Sequence, residues 1–190
     1  MSKTVSLILL TSLLALGCEQ DGSIGADDLI AAITRTDDGS QPPTSGDAVI
    51  LWTISSGSPD YEYIAGRGSL TSTGFEVTLP ASMPAEALNS YGIGVGIVLA
   101  FDTGMALEDG RVPDTFEEST VIGATPNYAI IYVAPDAGEG PDWANDFPTG
   151  FSCGVGVEGT GTFDSFEPVR CDLVELQIGD VESFDFVNWT

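Results

Sequence analysis

The chain reads as all-β, an antiparallel β-sandwich in a single domain with short helical turns and long acidic loops. Three observations predict this. Apolar runs of about five to eight residues are separated by turn signals. Glycine and proline are frequent, 23 and 11 among 190 residues. No stretch keeps the 3.6-residue period of a long amphipathic helix. The clearest strand covers 48–55, where Val49, Ile50, Leu51, Trp52 and Ile54 put apolar groups on both faces, as a buried central strand requires.

Around that strand the other elements follow in order. Residues 27–34 fit either one turn of amphipathic helix, through Leu29, Ile30 and Ile33, or a first strand rich in β-branched residues. Asp-Asp-Gly, Pro-Pro and Ser-Gly mark 37–47 as a loop. A strand is expected over 61–65, and Phe75, Val77 and Leu79 alternate with Glu76 and Thr78 as a half-buried strand ended by Pro80. Pro84 opens a single helical turn over 84–88. Within 91–101, Gly92, Gly94 and Gly96 share one face and Ile93, Val95, Ile97, Leu99 and Phe101 the other. The glycine face admits close approach of a backbone, a large aromatic or a ligand, and core packing is the preferred use because no polar group converges on it. It is not a dinucleotide loop, since the third glycine of that pattern is replaced by Ile97. Further strands are expected over 127–134, over 151–157 and 160–166 as a hairpin around Glu158-Gly159, at Val174, Leu176 and Ile178, and over 184–189 at the end of the chain.

Two acidic loops interrupt this pattern. The first, 102–120, carries Asp102, Glu108, Asp109, Asp114, Glu117 and Glu118 among glycines and a proline. The second, 135–150, sets Asp136, Glu139, Asp142 and Asp146 around Trp143 and Phe147. Carboxylates with glycines are what a calcium site needs, which makes Asp102, Asp109, Asp114, Asp136 and Asp142 the candidate ligands. The EF-hand spacing is not met, because Leu107 and Met105 stand two and four residues before Asp109. Trp143 offers an aromatic for a carbohydrate or protein partner, or a lid folded back on the sheet.

The first eighteen residues carry an address. Lys3, the uncharged and mostly apolar run 4–16, and the small residues Ala15 and Gly17 form a secretory signal. The run is shorter than the about 20 residues needed to span a bilayer. Leu14-Ala15-Leu16-Gly17-Cys18 resembles the lipobox of bacterial lipoproteins. The resemblance implies removal of 1–17, lipid attachment at Cys18, and a lipid-anchored place in the cell envelope, on the outer membrane. Several acyl chains stabilise such an anchor, since each buried CH₂ contributes about 0.8 kcal/mol. With Cys18 lipidated, Cys153 and Cys171 remain of the three cysteines and form a disulfide in an oxidising compartment. Residues 18–26, with Gly22, Ser23 and Gly25, then serve as a flexible tether for a β-domain over 27–190.

A second resemblance concerns 29–80. Thr36-Asp37-Asp38-Gly39, Ala48-Val49 and Thr73-Gly74-Phe75-Glu76-Val77-Thr78-Leu79-Pro80 resemble the carboxypeptidase-regulatory, transthyretin-like β-sandwich modules. These modules are mostly non-catalytic, so the resemblance implies a binding or structural role.

Charge and composition narrow the function further. The formal net charge is −24, from 29 acidic residues against Lys3 and four arginines, Arg35, Arg67, Arg111 and Arg170. So few and scattered cations exclude nucleic acid as a partner, because that binding depends on neutralising phosphates. The chain has no histidine and Lys3 is its one lysine. Histidine-dependent triads, histidine zinc sites and Schiff-base lysines therefore each lack a required part. The expected function is a lipid-anchored, non-catalytic envelope protein without a cofactor. The alternatives are a calcium-dependent adhesion or carbohydrate-binding module and a hydrolase using two carboxylates.

Overall fold

Val49, Ile50 and Leu51 have wholly apolar side chains and Trp52 a single polar N–H, so the strand that holds them must be covered on both faces. The structure is a computed structural model that describes residues 29–31, 33–36, 45–53, 62–71, 74–102, 107–112, 120–158 and 163–179. In chain order its strands are β1 (Leu29–Ala31), β2 (Ile33–Thr36), β3 (Gly46–Trp52), β4 (Tyr63–Thr71), β5 (Gly74–Thr78), β6 (Ile93–Phe101), β7 (Gly110–Arg111), β8 (Val121–Ala124), β9 (Tyr128–Val133), β10 (Gly150–Glu158), β11 (Phe163–Val169) and β12 (Glu175–Ile178). The expected helical turn is a 3-10 turn over Ala85–Ala87, capped by Pro84. The final segment 184–189 and Cys18 lie outside the described residues.

Among the described residues, all twelve strands belong to one hydrogen-bonded sheet, curled on itself. Its path runs β1-β5-β4-β3-β6-β8-β12-β2. Every pairing is antiparallel except that of β12 with β2. Within the stretch 27–34, ambiguous in sequence, the described residues 29–31 and 33–34 are thus extended. One residue, Ala32, separates β1 from β2, yet β1 pairs β5 at one end of the path and β2 pairs β12 at the other. The N-terminal strand pair therefore bridges the two ends of the sheet.

The nine-residue strand β6 is where the sheet forks. Ile93 to Gly96 pair with β9, and Leu99 to Phe101 pair with β8. Between the two sets, the Val98 N–H donates to Thr125 Oγ1 at 3.0 Å, and the Thr125 N–H donates to the Val98 carbonyl at 3.1 Å. The Thr125 hydroxyl donates in turn to the Tyr128 carbonyl at 3.3 Å. One buried side chain thus satisfies backbone groups at the point where neither branch can.

The inner face of the curl holds the main core, with Ile50, Trp52, Phe75, Val77, Val98, Ile130, Phe151 and Leu176. The glycine face of β6 turns inward and receives an aromatic: a Cβ on Gly96 would stand 2.7 Å from Ile50 Cγ2 and 3.0 Å from the Trp52 indole, and one on Gly94 3.1 Å from that indole. Gly92 lies before the strand, at a positive φ of 80°. The indole N–H donates to the Ala65 carbonyl at 2.8 Å, so the one polar atom of Trp52 is satisfied inside the core.

Strand β4 runs on past the expected end at Ala65, through Gly66 and Gly68, to Thr71. A bulge makes this possible. Val49 faces Arg67 and Leu51 faces Ile64, so Ile50 alone stands opposite both Ala65 and Gly66. Gly66 has a φ of 107°, a conformation that only glycine adopts without strain.

Candidate functional site

The bulge in β4 has a consequence on the outer face of the sheet. Ile64 belongs to an apolar cluster there with Val49, Leu51, Ile97, Leu99, Phe101, Val121 and Ala124. In a regular strand, residues three apart point to opposite faces. The extra residue instead sets Arg67 opposite Val49, on the same face as Ile64. The first acidic loop crosses this face. Leu107 and Val112 pack against the cluster, β7 pairs with Tyr63 and Ile64, and the Val112 N–H donates to the Glu62 carbonyl at 3.1 Å. Arg67 Nε meets Asp109 Oδ1 at 3.0 Å, with the two side chains 37% and 57% exposed. The pair ties the loop to the strand beneath it.

The second acidic loop does the same on the neighbouring part of the outer face. Its 3-10 turn, Asp142–Asp146, follows Pro141 and directs Ala144 inward. Trp143 stands edge-on to Phe147 and Phe166, with centroids 5.8 and 5.1 Å apart. Together they cover Val95, Ala129 and Ile131. Gly154 admits the Phe147 ring, since a Cβ there would stand 3.0 Å from its Cζ. Trp143 is accordingly the folded-back lid, and the exposed aromatic beside this loop is Tyr91, whose carbonyl accepts the Gly138 N–H at 2.9 Å.

The predicted ligands of calcium are distributed along these loops. Asp102 is exposed at the end of β6, Asp109 is paired with Arg67, Asp136 is exposed after β9, and Asp142 is exposed at the start of the 3-10 turn. Asp114 lies outside the described residues. Among the described residues, no three side chains of the metal-binding types are grouped as a cation site.

Cys153 and Cys171 are joined, with Cα atoms 5.2 Å apart across 18 positions of sequence. Cys153 is fully buried on β10, and Cys171 opens the 3-10 turn Cys171–Leu173 that leads into β12. The bond therefore links the two branches that diverge at β6.

Two polar atoms stand out because the sequence did not single them out. Arg67 Nη2 and Ser152 Oγ are both buried without a hydrogen-bond partner. Gly66 and Gly68 flanking Arg67 inside an apolar run were the available signal for a bulge, and so for a re-aimed side chain. Ser152 carried no such signal. It lies on β10 opposite Ile131 of β9, and no histidine exists in the chain to activate its hydroxyl.

The carboxylates complete the description. Among the residues whose burial is described, the buried polar side chains are Thr125 and Ser152, and each aspartate and glutamate reaches solvent. No helix of the described residues is long and apolar enough to cross a membrane. Compared with known proteins, the chain matches no family model, no curated protein and no solved structure.

Proposed function

We propose that the chain is a lipid-anchored, non-catalytic protein of the bacterial cell envelope. Residues 1–17 export it, acyl chains on Cys18 hold it at the outer membrane, and the β-domain presents an acidic surface to other envelope components. The address rests on the apolar run and on the likeness of Leu14 to Cys18 to a lipobox.

The observation that carries the non-catalytic part is the division of labour within the acidic loops. Their apolar residues, Leu107, Val112, Trp143 and Phe147, pack inward as covers, while their described carboxylates face water. A carboxylic acid that serves as a proton donor at neutral pH needs an apolar pocket to raise its pKa. In the two acidic loops, Asp102, Glu108, Asp109, Asp136, Glu139, Asp142 and Asp146 are exposed and outside any such pocket. A surface of this sign repels anionic headgroups, so the acyl chains supply the hold on the membrane.

The test is Cys18→Ser in the native host. The variant is expected to leave the membrane fraction and to lose incorporation of labelled fatty acid. Unchanged fractionation together with undiminished labelling would overturn the anchor.

A further inference from the structure

Tyr91 is one of two large apolar side chains that the described residues leave in water, with 47% of its surface exposed. A lone surface aromatic needs no explanation, but this one stands on a built support. The Asn89 carboxamide oxygen accepts the Tyr91 N–H at 2.9 Å and the Ile93 N–H at 3.0 Å. The second acidic loop is laced to the same turn, since the Ala134 N–H donates to the Gly92 carbonyl and the Gly138 N–H to the Tyr91 carbonyl, each at 2.9 Å. Gly140 lies against the root of the side chain, where a Cβ would stand 3.6 Å from Tyr91 Cβ and 3.8 Å from its Cγ. A Cβ on Gly138 would meet nothing within 4 Å. The backbone beneath the ring is thus fixed, and the glycines of the loop carry no side chain to cover it.

Charge says what this ring is suited to meet. The loop carries Asp136, Glu139 and Asp142, all exposed, and neither 89–93 nor 134–142 contains a lysine or arginine. Elsewhere Asp109 is held by Arg67 and Asp172 by Arg170. Among the described residues, no arginine pairs with the three carboxylates of this loop. The face of an aromatic ring is the negative pole of its quadrupole and attracts a guanidinium or ammonium, which neighbouring carboxylates hold by charge-assisted hydrogen bonds. The field of a chain of formal charge −24 draws cations in and repels a second copy, an anionic lipid or a nucleic acid. One cation on one exposed ring is held weakly. The chemistry therefore selects a segment that presents several cations together.

We infer that Tyr91 and the loop carboxylates Asp136, Glu139 and Asp142 form a docking site for an arginine- or lysine-rich segment of a partner protein. One cationic side chain stacks on the Tyr91 ring and its neighbours pair with the carboxylates. The site deepens the proposed display of an acidic surface and rests on that part of the reading, not on the lipid anchor.

Fluorescence anisotropy of a labelled peptide of alternating arginine and glycine tests it, on the full chain carrying Cys18→Ser. That substitution prevents acylation and leaves the patch intact, so a failure to bind says nothing against the anchor, which membrane fractionation decides separately. The arginine peptide is expected to bind and a glycine-serine peptide of the same length is not. Tyr91→Ala should weaken binding about two- to fivefold, the worth of one exposed cation–π contact. Tyr91→Phe keeps the ring and should keep the affinity. Asp136→Asn with Glu139→Gln should weaken binding more than Glu76→Gln with Glu167→Gln, which removes the same charge from exposed positions on β5 and β11. Equal losses from these two double variants would mean attraction to the acidic molecule at large and overturn the site. Undiminished affinity in folded Tyr91→Ala overturns it as well, and the double variants decide the matter if Tyr91→Ala does not fold. No binding of the arginine peptide overturns the proposal, whether or not the neutral sugar cellohexaose binds in its place.

Discussion

Gly68 shows how closely two strands approach in this molecule. A Cβ there would stand 1.6 Å from the Glu76 carbonyl oxygen, so β5 lies against the bare backbone of β4. Gly96 is tight in another way, with side-chain atoms of Ile50 and Trp52 as its neighbours. Side chains can shift by rotation, whereas a paired strand moves only by breaking its ladder. Gly96→Ala is expected to cost about 1–3 kcal/mol, the usual range for overpacking. Gly68→Ala should cost more, and Gly138→Ala, where a Cβ meets nothing within 4 Å, should be close to neutral. Urea midpoints of the three variants check the order, and an equal loss at Gly68 and Gly138 would contradict it. Thr125→Val keeps the shape at the fork but leaves the Val98 N–H without an acceptor. It should lower stability by about 1–3 kcal/mol, as an unsatisfied buried donor does.

Whole elements meet through the disulfide and the loop covers. The Cys153–Cys171 bond closes a loop of 18 positions and joins branches that the fork of β6 separates. Its reduction should lower unfolding free energy by about 3 kcal/mol in the chain-entropy account. Denaturation with and without reductant measures this, and coincident curves would show that the bond contributes nothing. The covers act by burial more than by charge. The half-exposed Arg67–Asp109 pair is worth no more than about 1 kcal/mol. Trp143→Ala uncovers part of the outer face and should cost about 2 kcal/mol, less than the loss for a fully buried tryptophan. Increased binding of an apolar dye should accompany it, and an unchanged midpoint would argue against the lid.

For the molecule as a whole, the formal charge of −24 is the dominant long-range feature. Self-repulsion of that size opposes the compact state and is screened by salt, since the Debye length falls from about 10 Å at 0.1 M to about 3 Å at 1 M. The melting temperature is therefore expected to rise with sodium chloride over that range. A flat or falling curve would show that the carboxylates are spaced widely enough not to repel. The same field keeps copies apart in dilute buffer.

Local pattern alone determined much of this protein. The both-faces-apolar run at Val49 to Trp52, the alternation at Phe75, Val77 and Leu79, the antiparallel pairing of β10 with the strand that follows it and the proline-opened turn at Ala85 all follow from neighbours in sequence, although β11 begins at Phe163 and Glu158 is paired within the ladder. The glycines of β6 were legible as a smooth face, and Trp52 as the partner that fills it was not. The acidic loops read as candidate sites because their carboxylates are visible in sequence, while the inward packing of Leu107, Val112 and Trp143 is not. Only the tertiary structure decided that the curled sheet forks at Val98, that a bulge turns Arg67 outward, and that residues 29–36 join β5 to β12. Each of these depends on which distant backbone supplies the hydrogen bonds, and periodicity records which face a residue shows without recording what lies against it.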